Sequence, residues 1–146
     1  MEEDKLNKIL DLDKSLNFSY NVRKKILDMS FNAGSASAHI GGALSSSDII
    51  SVIFSNYLKY KKDDTNWNER DRFILSKGHA CLAYYAALNQ IGVLSEKELM
   101  TFEKDDSDLA GHPVKNLKKG IEFSTGSLGM GLSIGVGLGV AFKRKK

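Results

Sequence analysis

Three histidines, His39, His79 and His112, are all that the chain contains, and each stands beside glycine: before Gly41 and Gly42, after Gly78, and after Gly111. Histidine titrates near neutrality, so a group of these side chains can donate protons to alkoxides and take them from hydroxyls. Taken singly, each also fits a satisfied helix-end or core histidine, the ordinary fate of a buried polar group. Gly111, His112 and Pro113 serve equally as loop punctuation. A second block, Gly126, Ser127, Leu128 and Gly129, opens an uncharged run to Phe142 that carries Gly131, Gly135, Gly137 and Gly139. Glycines at such spacing let other backbone come close. Arg70, Asp71 and Arg72 could clamp a phosphate, but a structural ion-pair cluster explains them better. Cys81 follows His79 by two residues, a helical spacing that points the side chains apart, so it reads as a small buried hydrophobe.

The elements that position these residues alternate helices with glycine turns. Leu16, Tyr20, Leu27 and Phe31 fall at helical spacing and predict one apolar face on a first helix ending near Gly34. Ser35 to Ser47 is small, polar and glycine-rich and reads as a loop. Ser45 and Asp48 resemble a capping box for a helix that buries Ile49, Ile50, Ile53, Phe54, Tyr57 and Leu58. Lys61 to Arg70 reads as a surface connection into a short buried strand, Arg72 to Leu75. A turn at Ser76 to His79 leads into a helix through Asn89, closed by Gly92. Strand, turn, helix is α/β grammar. Ser95 and Glu98 predict a capped short helix through Phe102.

At 146 residues, 42% hydrophobic, the chain is long enough to bury a core. Its net charge is +3 with no basic stripe, which argues against nucleic-acid binding. The apolar run to Phe142 is shorter than the roughly 20 residues of a spanning helix and is interrupted by glycine, which argues against a membrane anchor. A lone cysteine and the lack of a signal-peptide pattern point to a reducing, cytoplasmic setting.

Four blocks in order, Ala-His-Ile-Gly-Gly at 38–42, Arg-Asp-Arg-Phe-Ile-Leu-Ser-Lys-Gly-His at 70–79, Gly-His-Pro at 111–113 and Ser-Thr-Gly-Ser-Leu-Gly at 124–129, resemble the N-terminal, diphosphate-binding domain of transketolases. Leu99 and Phe102 stand where that family has a leucine-x-x-phenylalanine helix, and the similarity runs from about Tyr20 to Phe142. The resemblance implies an α/β fold, here the helix-rich first half of a parallel-sheet domain occupying 1–146. It implies transfer of a two-carbon ketol unit between sugar phosphates, with thiamine diphosphate and Mg2+ as cofactors. By the same resemblance His39 and His79 contact substrate hydroxyl or carbonyl groups, and His112 lies near the cofactor and the donor hydroxyl. His79, Gly126, Ser127, Leu128 and Gly129 would line the cofactor, the helix after them offering its N-terminal turn to phosphate. Lys77 would stand at the mouth of the site as a substrate contact. Met130 departs from the glutamine or histidine common in the family.

The family holds magnesium through a Gly-Asp-Gly motif and a later asparagine, hard oxygen ligands of the kind that ion prefers. No Asp-Gly pair occurs in this sequence, so the resemblance assigns no metal ligand here. The pyrimidine-binding domain, which carries the activating glutamate, is likewise not matched. The expectation is a section truncated before the metal motif, inactive alone and dependent on a complementary transketolase chain in a homo- or hetero-oligomer. The alternative is a catalytically inactive remnant that acts as an interaction module. Deoxyxylulose-phosphate synthase, another thiamine enzyme, fits the block at 76–79 less well.

Overall fold

The computed structural model describes residues 11–34 and 38–144. Helix α1 spans Leu12–Ala33. Asp11 caps it by accepting a hydrogen bond from the Lys14 amide at 2.9 Å, and Gly34 ends it with φ of 65°. Its buried face is Ser15, Ser19, Val22, Ile26 and Met29, whereas Leu16, Tyr20, Leu27 and Phe31 are exposed. The expected apolar face is therefore the outer one. Both faces carry apolar residues at helical spacing, and the one with the compact serines packs against its neighbours.

Helix α2 is Ile40–Val52 and continues as one π-helical turn, Ile53–Tyr57. It begins earlier than the glycine-rich composition suggested: residues 40–47 are helical, and 35–37 lie outside the described residues. Ser45 and Asp48 form no cap. Asp48 instead accepts from Ser19 at 2.5 Å and pairs with Arg23 at 2.6 Å, tying α2 to α1. Ile50 and Phe54 are buried, but Ile49 and Tyr57 face outward.

Helix α3, Cys81–Gln90, is the centre of the molecule. Every residue from Cys81 to Leu88 is buried, as expected of a helix that is apolar all round. It packs on both α1 and α2. The two tyrosines in it are satisfied by carbonyls: Tyr84 donates to Gly120 at 2.7 Å and Tyr85 to Ala110 at 2.9 Å. Helix α4, Glu96–Leu99, carries the expected capping box, with the Glu98 amide bonded to Ser95 Oγ at 3.2 Å and the Ser95 amide to Glu98 at 2.8 Å. Phe102, just beyond it, is fully buried.

The expected strand at Arg72 to Leu75 joins no ladder, and among the described residues no β-strand forms, only an isolated bridge between Asn116 and Ile121. Extended backbone becomes a strand only beside a partner. Arg70 is fixed by a buried ion pair with Glu122, and Arg72 stands 4.0 Å from the same carboxylate. That agrees with a structural ion-pair cluster at this position. Helix α5, Met130–Arg144, meets this segment at Gly131, where a Cβ would lie 2.5 Å from both Ser76 Cα and Cβ. Beyond that contact α5 leaves Leu132, Val136 and Val140 exposed. No helix among the described residues is long and apolar enough to cross a membrane.

One carboxylate gives this fold a pH dependence. The Lys119 ion pair and the Ser95 amide draw the Glu98 carboxyl down to about 2 from 4.5. A lowered folded-state value stabilises the fold above the unfolded value and loses that contribution as pH falls through the folded one. Urea unfolding midpoints should therefore fall between about pH 5 and 2, and Glu98→Gln should flatten that part of the curve.

Candidate active site

Three separate segments bring the histidines together. His39 is the N-cap residue of α2, its carbonyl accepting from the Ala43 amide at 3.1 Å. His79 sits in the 3-10 turn Gly78–Ala80 that runs directly into α3. His112 lies on a loop held against α3 by two side-chain donors four residues apart, Cys81 to the Gly111 carbonyl at 3.1 Å and Tyr85 to the Ala110 carbonyl at 2.9 Å. Ring centroids are 4.7 Å apart for His39 and His79, 4.5 Å for His79 and His112, and 5.5 Å for His39 and His112. His79 is thus the middle member.

The role of Cys81 goes beyond filling space. Burial pushes its thiol up to about 12, so it remains a protonated donor rather than a nucleophile. Its i, i+4 relation to Tyr85 puts both donors on one helix face. That spacing was visible in the sequence, but nothing there indicated that the 110–112 backbone would lie across it.

Gly78 is where the turn meets the other wall of the site. A Cβ there would stand 2.6 Å from the Thr125 carbonyl oxygen and 2.9 Å from the Gly126 amide nitrogen. Gly126 in turn faces the His112 ring, at 3.5 Å from its would-be Cβ to Cδ2. The 124–126 strip is pinned by two amides that donate, Thr125 to the Pro113 carbonyl at 3.1 Å and Lys115 to Ser124 Oγ at 2.8 Å. A cavity of about 330 Å³ opens between this strip, His112 and Met130. Ser127, Leu128 and Gly129 lie exposed at the start of α5, with Gly129 at φ of 81°. Lys77 extends toward α2, its Nζ 3.4 Å from Ser45 Oγ.

Two buried polar atoms here, His79 Nδ1 and Thr125 Oγ1, have no hydrogen-bond partner among the described residues. Burial, followed by the neighbours His112, His39 and Lys77, holds the His79 imidazole below its ordinary 6.5. The ring is therefore neutral at physiological pH and able to accept a proton. A lowered value means that folding disfavours the charged ring, so stability is lost as pH falls below the unfolded value. NMR titration of the imidazole carbons in chelator-treated buffer should place the His79 midpoint below 6.5, and Lys77→Met should raise it.

The chain that brings these histidines and the glycine strip together around a buried helix matches a known family. The family described as "Transketolase, thiamine diphosphate binding domain" matches residues 20–146. The chain belongs to that family. It is 39% identical over 123 residues to one of the subunits of apulose-4-phosphate transketolase from Actinobacillus succinogenes, covering 84% of this chain and 44% of that protein. To transketolase 2 of Escherichia coli it is 41% identical, over 72% of this chain and 16% of the other. Among solved structures, a transketolase from Leishmania mexicana superposes with a TM-score of 0.79 at 32% identity, over 86% of this chain and 18% of that one. The chain spans less than half the length of these relatives. The α/β class expected from the sequence is that of the transketolase fold, of which the described residues form a helical part.

Proposed function

We propose that this chain supplies the histidine-bearing part of a transketolase-type site, which transfers a two-carbon ketol unit between sugar phosphates when further polypeptide provides the metal motif and the pyrimidine-binding domain. The observation that carries this reading is the convergence of His39, His79 and His112, one ring nitrogen of each within 4.8 Å of the others, in a member of this family. Support for the need of further polypeptide comes from α5, whose Leu132, Val136 and Val140 lie uncovered, and from the Actinobacillus relative, whose name makes it one subunit of its enzyme.

The residues present fit thiamine diphosphate in part. The backbone strip at 124–127 borders a cavity next to His112, Thr125 Oγ1 is buried without a partner among the described residues, and α5 begins just beyond, its N-terminal end suited to an anion. His79, Gly126, Ser127, Leu128 and Gly129 would hold the cofactor, and its magnesium would be held by residues other than 1–146. When bound, the cofactor supplies the carbon nucleophile that a protein side chain lacks. The chain's own contribution is to move protons. His39 and His79 hydrogen-bond the sugar's hydroxyl and carbonyl oxygens, His112 holds the hydroxyl of the donor nearest the cofactor, and Lys77 pairs with anionic substrate at the mouth. Packing of Gly78 against Thr125 keeps His79 and His112 in register.

Exposed α5 and the nonpolar Met130 beside His112 also suit the second reading, an inactive remnant that docks on a relative. The test is ketol transfer from a sugar phosphate by the purified chain with thiamine diphosphate and magnesium, alone and mixed with a polypeptide carrying the missing motif. The expected result is no turnover alone and turnover in the mixture. Turnover by the lone chain overturns the dependence, and an inactive but stable complex establishes the remnant.

A further inference from the structure

We infer that His39, His79 and His112 also form a binding site for a divalent transition-metal ion, with zinc as the best-suited occupant. The inference goes beyond the ketol-transfer reading and does not depend on it. Its basis is the ligand set. One nitrogen from each imidazole lies within 4.8 Å of the other two. A zinc ion with Zn–N bonds of about 2.0–2.1 Å in tetrahedral geometry needs those nitrogens about 3.4 Å apart. Side-chain rotations of roughly 1 Å at each ring close the difference, with no change of backbone.

The three backbones are already anchored. One begins α2, one is the turn into α3, and the third is held by the Cys81 and Tyr85 hydrogen bonds. The rings are inclined to one another by 62°, 63° and 83°, so none is stacked face to face in a way that would turn its nitrogens from a common centre. His79 Nδ1 is buried without a partner among the described residues, an independent sign that this cluster lacks a bonding group.

The chemistry selects the ion. Imidazole suits zinc, copper, nickel and cobalt, whereas magnesium and calcium seek oxygen. Three histidines leave a fourth position for water, the arrangement of an open zinc site. Among the described residues no carboxylate is in the cluster, and Lys77 lies on its rim, so the occupied site carries positive charge that these residues do not compensate. An occupying ion ties up the nitrogens that would otherwise exchange protons with substrate, so zinc opposes sugar binding.

The test titrates the full chain with Zn2+ against a chromophoric chelator, and with Co2+ while recording its visible spectrum. The parent chain is compared with His39→Gln, His79→Gln, His112→Gln and Lys77→Met, each checked by far-UV circular dichroism. We expect one zinc per chain at micromolar affinity or tighter, and a tetrahedral cobalt spectrum. Each histidine substitution should weaken binding by more than about 100-fold, beyond what loss of a supporting contact costs. Lys77→Met should tighten it. Should a variant fail to fold, X-ray absorption of the zinc-loaded parent counts the imidazoles directly. Millimolar binding, uptake indifferent to the histidine substitutions, or fewer than three imidazoles on the metal overturns the inference. A completed enzyme that transfers ketol units but binds no zinc overturns this inference alone.

Discussion

His79→Ala, in an enzyme completed by the metal motif and pyrimidine domain, should lower kcat by about 10²- to 10⁴-fold, the usual contribution of a positioned proton-transfer group. Thiamine diphosphate affinity should change by only about 1 kcal/mol, the net worth of one hydrogen bond. The asymmetry follows from the position of His79. It stands within 4.7 Å of both other rings, while those two are 5.5 Å apart, so it links the pair. Its neutral imidazole, held so first by burial and then by its neighbours, is in the state that accepts a proton from a hydroxyl. His79→Asn, which keeps a donor without the titration, should restore KM more than kcat. Equal losses in kcat and in cofactor affinity would reduce His79 to a structural group.

Gly78→Ala should do comparable damage without removing any functional atom. Its Cβ would enter the space of the Thr125 carbonyl, 2.6 Å from the oxygen and 2.8 Å from the carbon, and both are backbone that cannot rotate aside. The turn and the 124–126 strip must then part. Because Gly126 backs the His112 ring, the His79 to His112 spacing opens with them. Overpacking of this kind costs about 1–3 kcal/mol, occasionally more. The urea midpoint should fall accordingly, and the imidazole resonances of His79 and His112 should shift together. Gly137→Ala is the matched control. Its Cβ meets nothing within 4 Å, so it should stabilise α5 by about 1 kcal/mol through helix propensity. An unchanged midpoint for Gly78→Ala would contradict the close packing of the turn.

The parts of this molecule governed by short-range rules were legible in its sequence. Gly34 and Gly92 end their helices with φ of 65° and 81°, and Ser95 with Glu98 makes the capping box its spacing predicts. Long-range choices were not. Which face of α1 turns inward depends on what lies opposite, and Val22, Ile26 and Met29 won over Leu16, Tyr20 and Leu27 because α2 and α3 pack there. The start of α2 hides in residues that favour loops, since Gly41 and Gly42 weaken a helix that tertiary packing nonetheless supports. The segment at 72–75 has strand composition but no partner among the described residues. As for the site, the histidines could be picked out by type and by their glycines. Their meeting could not, because no periodicity links positions 39, 79 and 112. Only the ordered blocks shared with transketolases pointed to it. The Cys81 and Tyr85 bonds that hold the third histidine in place were beyond both kinds of reading.

The most direct test of the central claim is the ketol-transfer rate of a full-length transketolase in which residues 20–142 of this chain replace the matching segment. If this chain provides a working proton-transfer cluster, the chimera transfers two-carbon units between sugar phosphates and loses that activity on His79→Ala. A chimera that folds and binds thiamine diphosphate but transfers nothing, or transfers at a rate indifferent to His79, would contradict it.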